Sequence, residues 1–236
     1  MSRILKKFKG KNIIVTGATG LIGRRIITML LDQKDKCQIY AIGRNKNKLK
    51  ETFSSYSFDK RLILITHNIK KKIIKKLINI DFIFHLAGPQ EREEILNRPL
   101  DVISTNLSGL INCFDILKNQ KFKNGYLGKL IVFSSLTIYG DPKLNNIKTV
   151  NEADTNIAPD LNNQTIVYSE TKRMAEVIAK SYNKTYGIDY SVCRLSTVYG
   201  SSKNPTNTAF FEFIEKAKNG NLITIRDKLA PKRDNI

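Results

Sequence analysis

The stretch Lys11–Gly23 reads KNIIVTGATGLIG, and its reading decides the fold. Lys11–Thr16 is a short run rich in apolar, β-branched residues, which predicts a strand. Thr16–Gly23, TGATGLIG, then places glycines at 17, 20 and 23. Gly17 permits a tight turn, Gly20 lets the backbone approach a pyrophosphate, and Gly23 lets a helix pack close to the strand. That helix, Leu21 to about Gln33, would aim its free N-terminal amides at the same anion. Strand, glycine turn and helix in this order open a dinucleotide-binding unit.

Outward from this unit the alternation continues. Strands are predicted at Gln38–Ile42, Leu62–Thr66, Asp81–Leu86, Leu130–Ser134 and Tyr190–Arg194. Helices are predicted from Asn45 to about Phe53, over the basic run Lys70 to Ile78, from Glu91 to Leu117 with an interruption near Pro99, and from Tyr168 to Tyr186. Asp141–Thr165 reads as a polar loop, Asn207–Asn219 as a helix and Leu222–Ile225 as a strand. The strands are near-continuously apolar, as a sheet buried on both faces requires. The fold class expected is therefore α/β: a Rossmann-like, doubly wound parallel sheet with helices on both faces, plus an incomplete small substrate-binding region.

The spacing GxxGxxG, from about Lys11 to the end of the chain, resembles the extended short-chain dehydrogenase/reductase family, also called the NAD-dependent epimerase/dehydratase family. The resemblance implies a nicotinamide cofactor and a nucleotide-sugar substrate. It implies cofactor contacts from Gly17, Thr19, Gly20, Leu21, Ile22 and Gly23. It also divides the chain, with residues 1–200 as the NAD(P)-binding domain and 201–236 as the start of a substrate domain that stops short. Gly43 stands where NAD users of the family carry Asp, and Arg44 follows it. A guanidinium can grip a 2′-phosphate as a bidentate pair, so NADP is the expected cofactor, with NAD as the alternative. Asn68 and Ile69 take the family's adenine-contact positions. Leu86, Ala87 and Gly88, after His85, match its H-x-A-[AG] stretch, and Asn106 matches an Asn that supports the site.

The family's catalytic pattern is Tyr-x-x-x-Lys. It occurs four times here, at Tyr56/Lys60, Tyr139/Lys143, Tyr168/Lys172 and Tyr199/Lys203. Only Tyr168 opens a long helical pattern, YSETKRMAEVIAKSY, and spacing i, i+4 sets Lys172 one turn along the same face. A tyrosine titrates near pH ~10 in water, and a nearby ammonium is expected to lower that value. Tyr168 is then the general base, Lys172 its electrostatic partner and a holder of the nicotinamide ribose. VFSSLTIYG, Val132–Gly140, resembles the family's S-S-x-x-V-Y-G and assigns the third catalytic position to Ser135, with Ser134 and Thr137 as neighbours.

Two departures bear on the substrate. In RLSTVYG, Arg194–Gly200, Thr197 replaces the family's usual Asn, and Leu136 and Thr137 stand where a 4,6-dehydratase carries acids. The reading is an NAD(P)-dependent nucleotide-sugar epimerase or 4-reductase. The alternative is a non-catalytic NAD(P)-binding sensor or scaffold. A homodimer through the helices containing Leu107–Leu117 and Tyr168–Tyr186 is implied by the resemblance.

Composition narrows the field. The 236 residues are 41% hydrophobic, sufficient for a sizeable core. The net charge of +19 is spread along the whole chain, so the densest cluster, Lys70–Lys72 with Lys75 and Lys76, reads as a solvated face and not as a nucleic-acid patch. A positive field still favours polyanionic cofactors and diphosphates. Cys37, Cys113 and Cys193 lie in apolar segments and are expected as reduced thiols, and two histidines argue against a zinc site. No apolar run approaches the length of a membrane span, and the basic start leads straight into a strand. Neither a membrane partner nor a leader is expected, and the location expected is cytoplasmic.

Overall fold

The computed structural model describes residues 6–33, 36–73, 77, 79–89, 91–140, 149–154, 159–200 and 209–224. Six parallel strands form one sheet: β1 (Asn12–Thr16), β2 (Gln38–Gly43), β3 (Leu62–Thr66), β4 (Phe82–His85), β5 (Lys129–Ser135) and β6 (Asp189–Leu195). Their spatial order is β3-β2-β1-β4-β5-β6. The order reverses beside β1, between β1 and β4, and in doubly wound sheets ligands bind at the carboxyl ends beside such a reversal. Register runs in step across that point, with Thr16 opposite both Ile42 and His85.

Helices cover the sheet as α1 (Leu21–Leu31), α2 (Lys46–Thr52), α3 (Arg92–Asn97), α4 (Pro99–Ile103), α5 (Gly109–Asn124), α6 (Ile166–Tyr186) and α7 (Ala209–Lys218). The continuous run of apolar residues in β1 is explained by its central place: Ile13, Ile14 and Val15 are fully buried. Side chains alternate across a strand, so Ile13 and Val15 join one core, with Ile27, Leu30 and Phe53. Ile14 joins the other, with Leu110, Phe114, Leu130 and Ala179.

Two sequence expectations are revised. The segment Lys70–Ile73 is turn, bend and irregular chain, not helix, and residues 74–76 and 78 lie outside the described residues. Ile73 and Leu77 still pack against the core, so the apolar half of the pattern is used without helical geometry. The helix expected from Glu91 to Leu117 is interrupted where expected: Arg98 leaves helical geometry before Pro99 takes the first position of α4. A π-helical turn, Ser104–Ser108, then joins α4 to α5. Leu222–Thr224 form no strand, and residue 225 lies outside the described residues. So do residues 141–148 and 155–158 of the polar loop, and the closing stretch Ala230–Ile236.

Candidate active site

The glycine turn is built by contact. Gly17 has φ +65°, and a Cβ there would lie 2.8 Å from the backbone of Leu86 and Ala87. Gly23 is packed onto the turn itself, since a Cβ would lie 2.4 Å from the Gly17 carbonyl oxygen. Gly20 is exposed and is the N-cap of α1, with no side chain capping the helix. The first intrahelical bond is Arg24 N–H to Gly20 C=O, which leaves the amides of Leu21, Ile22 and Gly23 without helical partners. Thr19, Leu21 and Ile22 are half-buried around this end. An open helix N-terminus behind a turn with no room for Cβ atoms fits a dinucleotide diphosphate.

The floor of the site is held by Thr16, a residue the sequence motifs did not single out. Its buried hydroxyl oxygen accepts from Leu86 N (3.1 Å) and Ala87 N (3.2 Å). Its one hydrogen therefore points to His85 Nδ1, 3.0 Å away. That assigns the His85 proton to Nε2, a buried atom without a hydrogen-bond partner among the described residues. Burial, and then the charge of Lys172, push the His85 pKa down to about 3, so the ring is neutral. Cys113 Sγ lies 3.5 Å from the same Nδ1, and burial pushes that thiol up.

The π-turn places Asn106. Asn106 Nδ2 donates to Thr171 Oγ1 (2.9 Å), and Thr171 donates to the Tyr168 carbonyl (2.9 Å). Asn106 Oδ1 is buried and unpartnered among the described residues, and a Cβ on Gly88 would meet it at 2.5 Å. Asn68 closes a local turn by accepting from Lys70 N (3.1 Å). Ile69 is a core residue, 4% exposed, with its carbonyl held by Asn112 Nδ2 at 2.8 Å.

Ser135 ends β5, and Tyr168 and Lys172 lie on the first turns of α6. The fold brings them together. The Ser135 side chain is near enough to the Tyr168 phenol to favour its ionised form. Lys172 Nζ lies 5.6 Å from the Tyr168 ring centre and donates to the Phe133 carbonyl at 2.8 Å. Burial brings Lys172 down to about 8. The Tyr168 phenol does not follow the expected direction: burial pushes it up, and the Ser135 side chain is the opposing influence. Desolvation of the phenolate outweighs its partner in the protein alone.

A second polar cluster supports this one. Ser134 donates to Glu176 Oε1 at 2.6 Å, and Arg194 grips the same carboxylate through Nε (3.0 Å) and Nη2 (2.8 Å). Arg194 Nη1 reaches the Tyr139 hydroxyl (3.0 Å) and the Glu152 carbonyl (2.6 Å). A groove of about 520 Å³ borders the cluster, lined in part by Glu152, Val177, Lys180 and Tyr190. Glu176 escaped the sequence reading although a signal existed: Tyr168, Lys172 and Glu176 follow at i, i+4, i+8 on one helix face.

Comparison with known proteins agrees with this geometry. The family model described as "NAD dependent epimerase/dehydratase family" matches residues 13–236. A UDP-glucuronate 4-epimerase of Thermodesulfobacterium geofontis is 28% identical, over 86% of this chain and 60% of that protein. The solved UDP-N-acetylglucosamine 4-epimerase of Methanobrevibacter ruminantium is 27% identical with a TM-score of 0.78, covering 97% of this chain and 69% of that one. The UDP-glucuronic acid 4-epimerase of Bacillus cereus, solved in complex with NAD, is 25% identical with a TM-score of 0.68, covering 89% and 63%. The chain spans between 41% and 60% of the length of several curated relatives.

These neighbours correct the cofactor expectation. The Bacillus cereus structure holds NAD, as do further structural neighbours, and none of these names NADP. The NADP expectation rested on Arg44 alone. In the fold Arg44 is an exposed residue just past β2, and no other described residue orients its guanidinium. An unoriented arginine at a strand end is no phosphate fork; it can equally lie over an adenine face. Because that family model matches residues 13–236, the chain belongs to the NAD dependent epimerase/dehydratase family.

Proposed function

We propose that the protein is the NAD-binding part of a nucleotide-sugar epimerase that works by hydride transfer. The observation that carries this reading is the cluster of Ser135, Tyr168 and Lys172 at the carboxyl end of β5, one strand beyond the point where strand order reverses. Residues 1–200 are read as the cofactor domain and 201–236 as the beginning of the sugar-binding region.

The open end of α1 and the turn Gly17–Gly23 hold the diphosphate. Asn68 and Ile69 border the adenine, Arg44 its ribose, and Leu86, Ala87, Gly88 and Asn106 the nicotinamide half. When bound, the nicotinamide supplies the acceptor for a sugar hydride and the donor for its return. Tyr168 takes the proton of the sugar hydroxyl as the carbon is oxidised, and gives it back on reduction. Ser135 holds the reacting oxygen against Tyr168. Lys172, buried and with its pKa near 8, is a cation at neutral pH that favours the phenolate whenever it forms. Its bond to the Phe133 carbonyl fixes that charge in place. Thr137 and Leu136 supply no acid for the elimination that a dehydratase performs, which supports the epimerase reading.

The relatives choose the probes: UDP-glucuronic acid, UDP-N-acetylglucosamine and dTDP-glucose, each incubated with NAD and the full-length gene product. Inversion at one sugar carbon, detected by NMR and abolished by Tyr168→Phe, is the expected result. Tight NAD binding with no turnover across the panel would overturn the enzyme reading. We further infer a homodimer through α5 and α6, supported by the exposed apolar side chains Ile111, Met174 and Val177 on those helices. A light-scattering mass of one chain counts against it.

A further inference from the structure

We propose that Arg194 is a positioning residue of this site: by gripping both carboxylate oxygens of Glu176 it keeps that carboxylate from pairing with Lys172, and so leaves the Lys172 charge to Tyr168. The proposal rests on the reading of Lys172 as the cation that serves Tyr168.

Lys172 and Glu176 lie four residues apart on α6 and share a helix face. Opposite charges at this spacing are neighbours, with Cβ atoms about 5–6 Å apart, and attract each other. Both side chains also reach β5 at adjacent residues. Lys172 Nζ donates to the Phe133 carbonyl at 2.8 Å, and Glu176 Oε1 accepts from Ser134 Oγ at 2.6 Å. The two nevertheless stay apart. Among the described residues Lys172 has no carboxylate partner, and its Nζ lies 5.6 Å from the Tyr168 ring centre.

Arg194 accounts for this. It stands opposite Ser134 in the register of β5 and β6. Its Nε donates to Glu176 Oε1 at 3.0 Å, and its Nη2 donates to Oε2 at 2.8 Å. Together with the Ser134 bond, these fill most of the about four lone-pair sites of the carboxylate. The guanidinium is anchored on its far side as well. Nη1 donates to the Tyr139 hydroxyl at 3.0 Å and to the Glu152 carbonyl at 2.6 Å. The guanidinium carbon lies 5.2 Å from the Tyr139 ring centre. Glu176 is thus aimed at β6, and its charge is matched there.

Without that grip, Glu176 is a desolvated carboxylate one helical turn from a buried ammonium, and pairing is the arrangement that electrostatics favours. Such a pair would neutralise Lys172 towards a phenolate at Tyr168. The Phe133 carbonyl carries no net charge, so it fixes Nζ without that loss. His85 on β4 is neutral and adds no competing charge.

The test labels the full chain with ¹³C at lysine Cε and follows Lys172 by NMR, without cofactor or substrate. Burial brings Lys172 down to about 8, apart from exposed lysines near pH ~10.4, and Lys172→Met identifies its signal. Arg194→Gln is expected to raise the midpoint by about one pH unit or more. Glu176→Gln alone should not raise it, and Arg194→Gln with Glu176→Gln should return it to within about half a unit of the parent. Arg194→Lys keeps the charge and loses the fork. It should give a smaller rise that Glu176→Gln also cancels, and it carries the same cycle if Arg194→Gln does not fold. No rise in either Arg194 variant overturns the proposal. So does a double-variant shift equal to the sum of the single shifts, since fixed charges add and a re-formed pair does not. Because the titration needs neither NAD nor a sugar, a failed cycle sinks this proposal alone, whereas absence of turnover across the sugar panel sinks the functional reading.

Discussion

Ser134 Oγ and Glu176 Oε1 are 2.6 Å apart, joining the end of β5 to α6 one turn beyond Lys172. Arg194 holds both oxygens of the carboxylate as a fork, and donating to Glu176 raises the guanidinium's own pKa further. Both side chains of the ion pair are only about a fifth exposed, at 20% and 18%. Removing one partner strands a desolvated charge. Glu176→Gln is therefore expected to cost about 2–3 kcal/mol in denaturant unfolding, and Arg194→Lys less, because the charge survives while the fork is lost. Equal stability of Glu176→Gln and the parent would show that the cluster is not a strut.

Gly20 and Gly23 should separate folding from binding. Alanine at 23 would collide with the Gly17 carbonyl at 2.4 Å, and backbone must move. Gly23→Ala is expected to lose about 1–3 kcal/mol of stability and to weaken NAD binding. At Gly20 the nearest contact is 3.2 Å and the site faces solvent. Gly20→Ala should keep its unfolding midpoint and weaken NAD binding by about tenfold, since only the approach of the diphosphate is obstructed. Calorimetric titration with NADH beside a melting curve distinguishes the two.

Arg44 supplies a cofactor test. NADH is expected to bind at least about tenfold more tightly than NADPH, a difference of about 1.4 kcal/mol. Arg44→Ala should change NADH affinity by less than about threefold, because an exposed, unoriented guanidinium contributes little. A preference for NADPH that disappears in Arg44→Ala would reinstate the 2′-phosphate role.

His85 should make the fold acid-sensitive. Its folded pKa, about 3, is depressed by burial first and by Lys172 second. The unfolded chain takes up this proton near pH ~6.5. Between those values the unfolded state holds more protons, so stability falls as pH falls, by at most about 1.4 kcal/mol per unit from this group. Above about pH 6.5 the contribution is complete. His85→Asn keeps an acceptor for Thr16 and removes the titration; its unfolding free energy should vary less between pH 6.5 and 4 than the parent's.

Tyr168→Phe should lower kcat by about 10²- to 10⁴-fold, the range for loss of a general acid–base group, with NADH affinity unchanged. Lys172→Met removes a buried cation whose pKa is already down at about 8. It should reduce kcat and also weaken NADH binding, if Lys172 holds the ribose as proposed. Stopped-flow turnover and equilibrium titration separate these outcomes.

Much of the scaffold was legible locally. The β-branched run of β1, the three glycines and the opening of α1 are neighbours in sequence, so their spacing alone sets their geometry. Tyr168 and Lys172 share a helix face for the same reason. Other readings failed where a local pattern has more than one physical outcome. Ile73 and Leu77 pack against the core although Lys70–Ile73 is not helical, and a helix pattern cannot reveal the π-turn that carries Asn106 to Thr171. Arg44 is a cation in a suggestive place, but only its surroundings say whether it is aimed.

The sequence by itself determined the parallel α/β architecture, the glycine turn before α1 and the placing of Tyr168 and Lys172 on one helix face, because each depends on periodicity within a few residues. The tertiary structure decided the rest: the Thr16 clamp on His85 and the Ser134–Glu176 strut join residues 69 and 42 positions apart. It also decided that burial pushes the Tyr168 pKa up, because desolvation depends on everything packed around a group and not on the lysine four residues along.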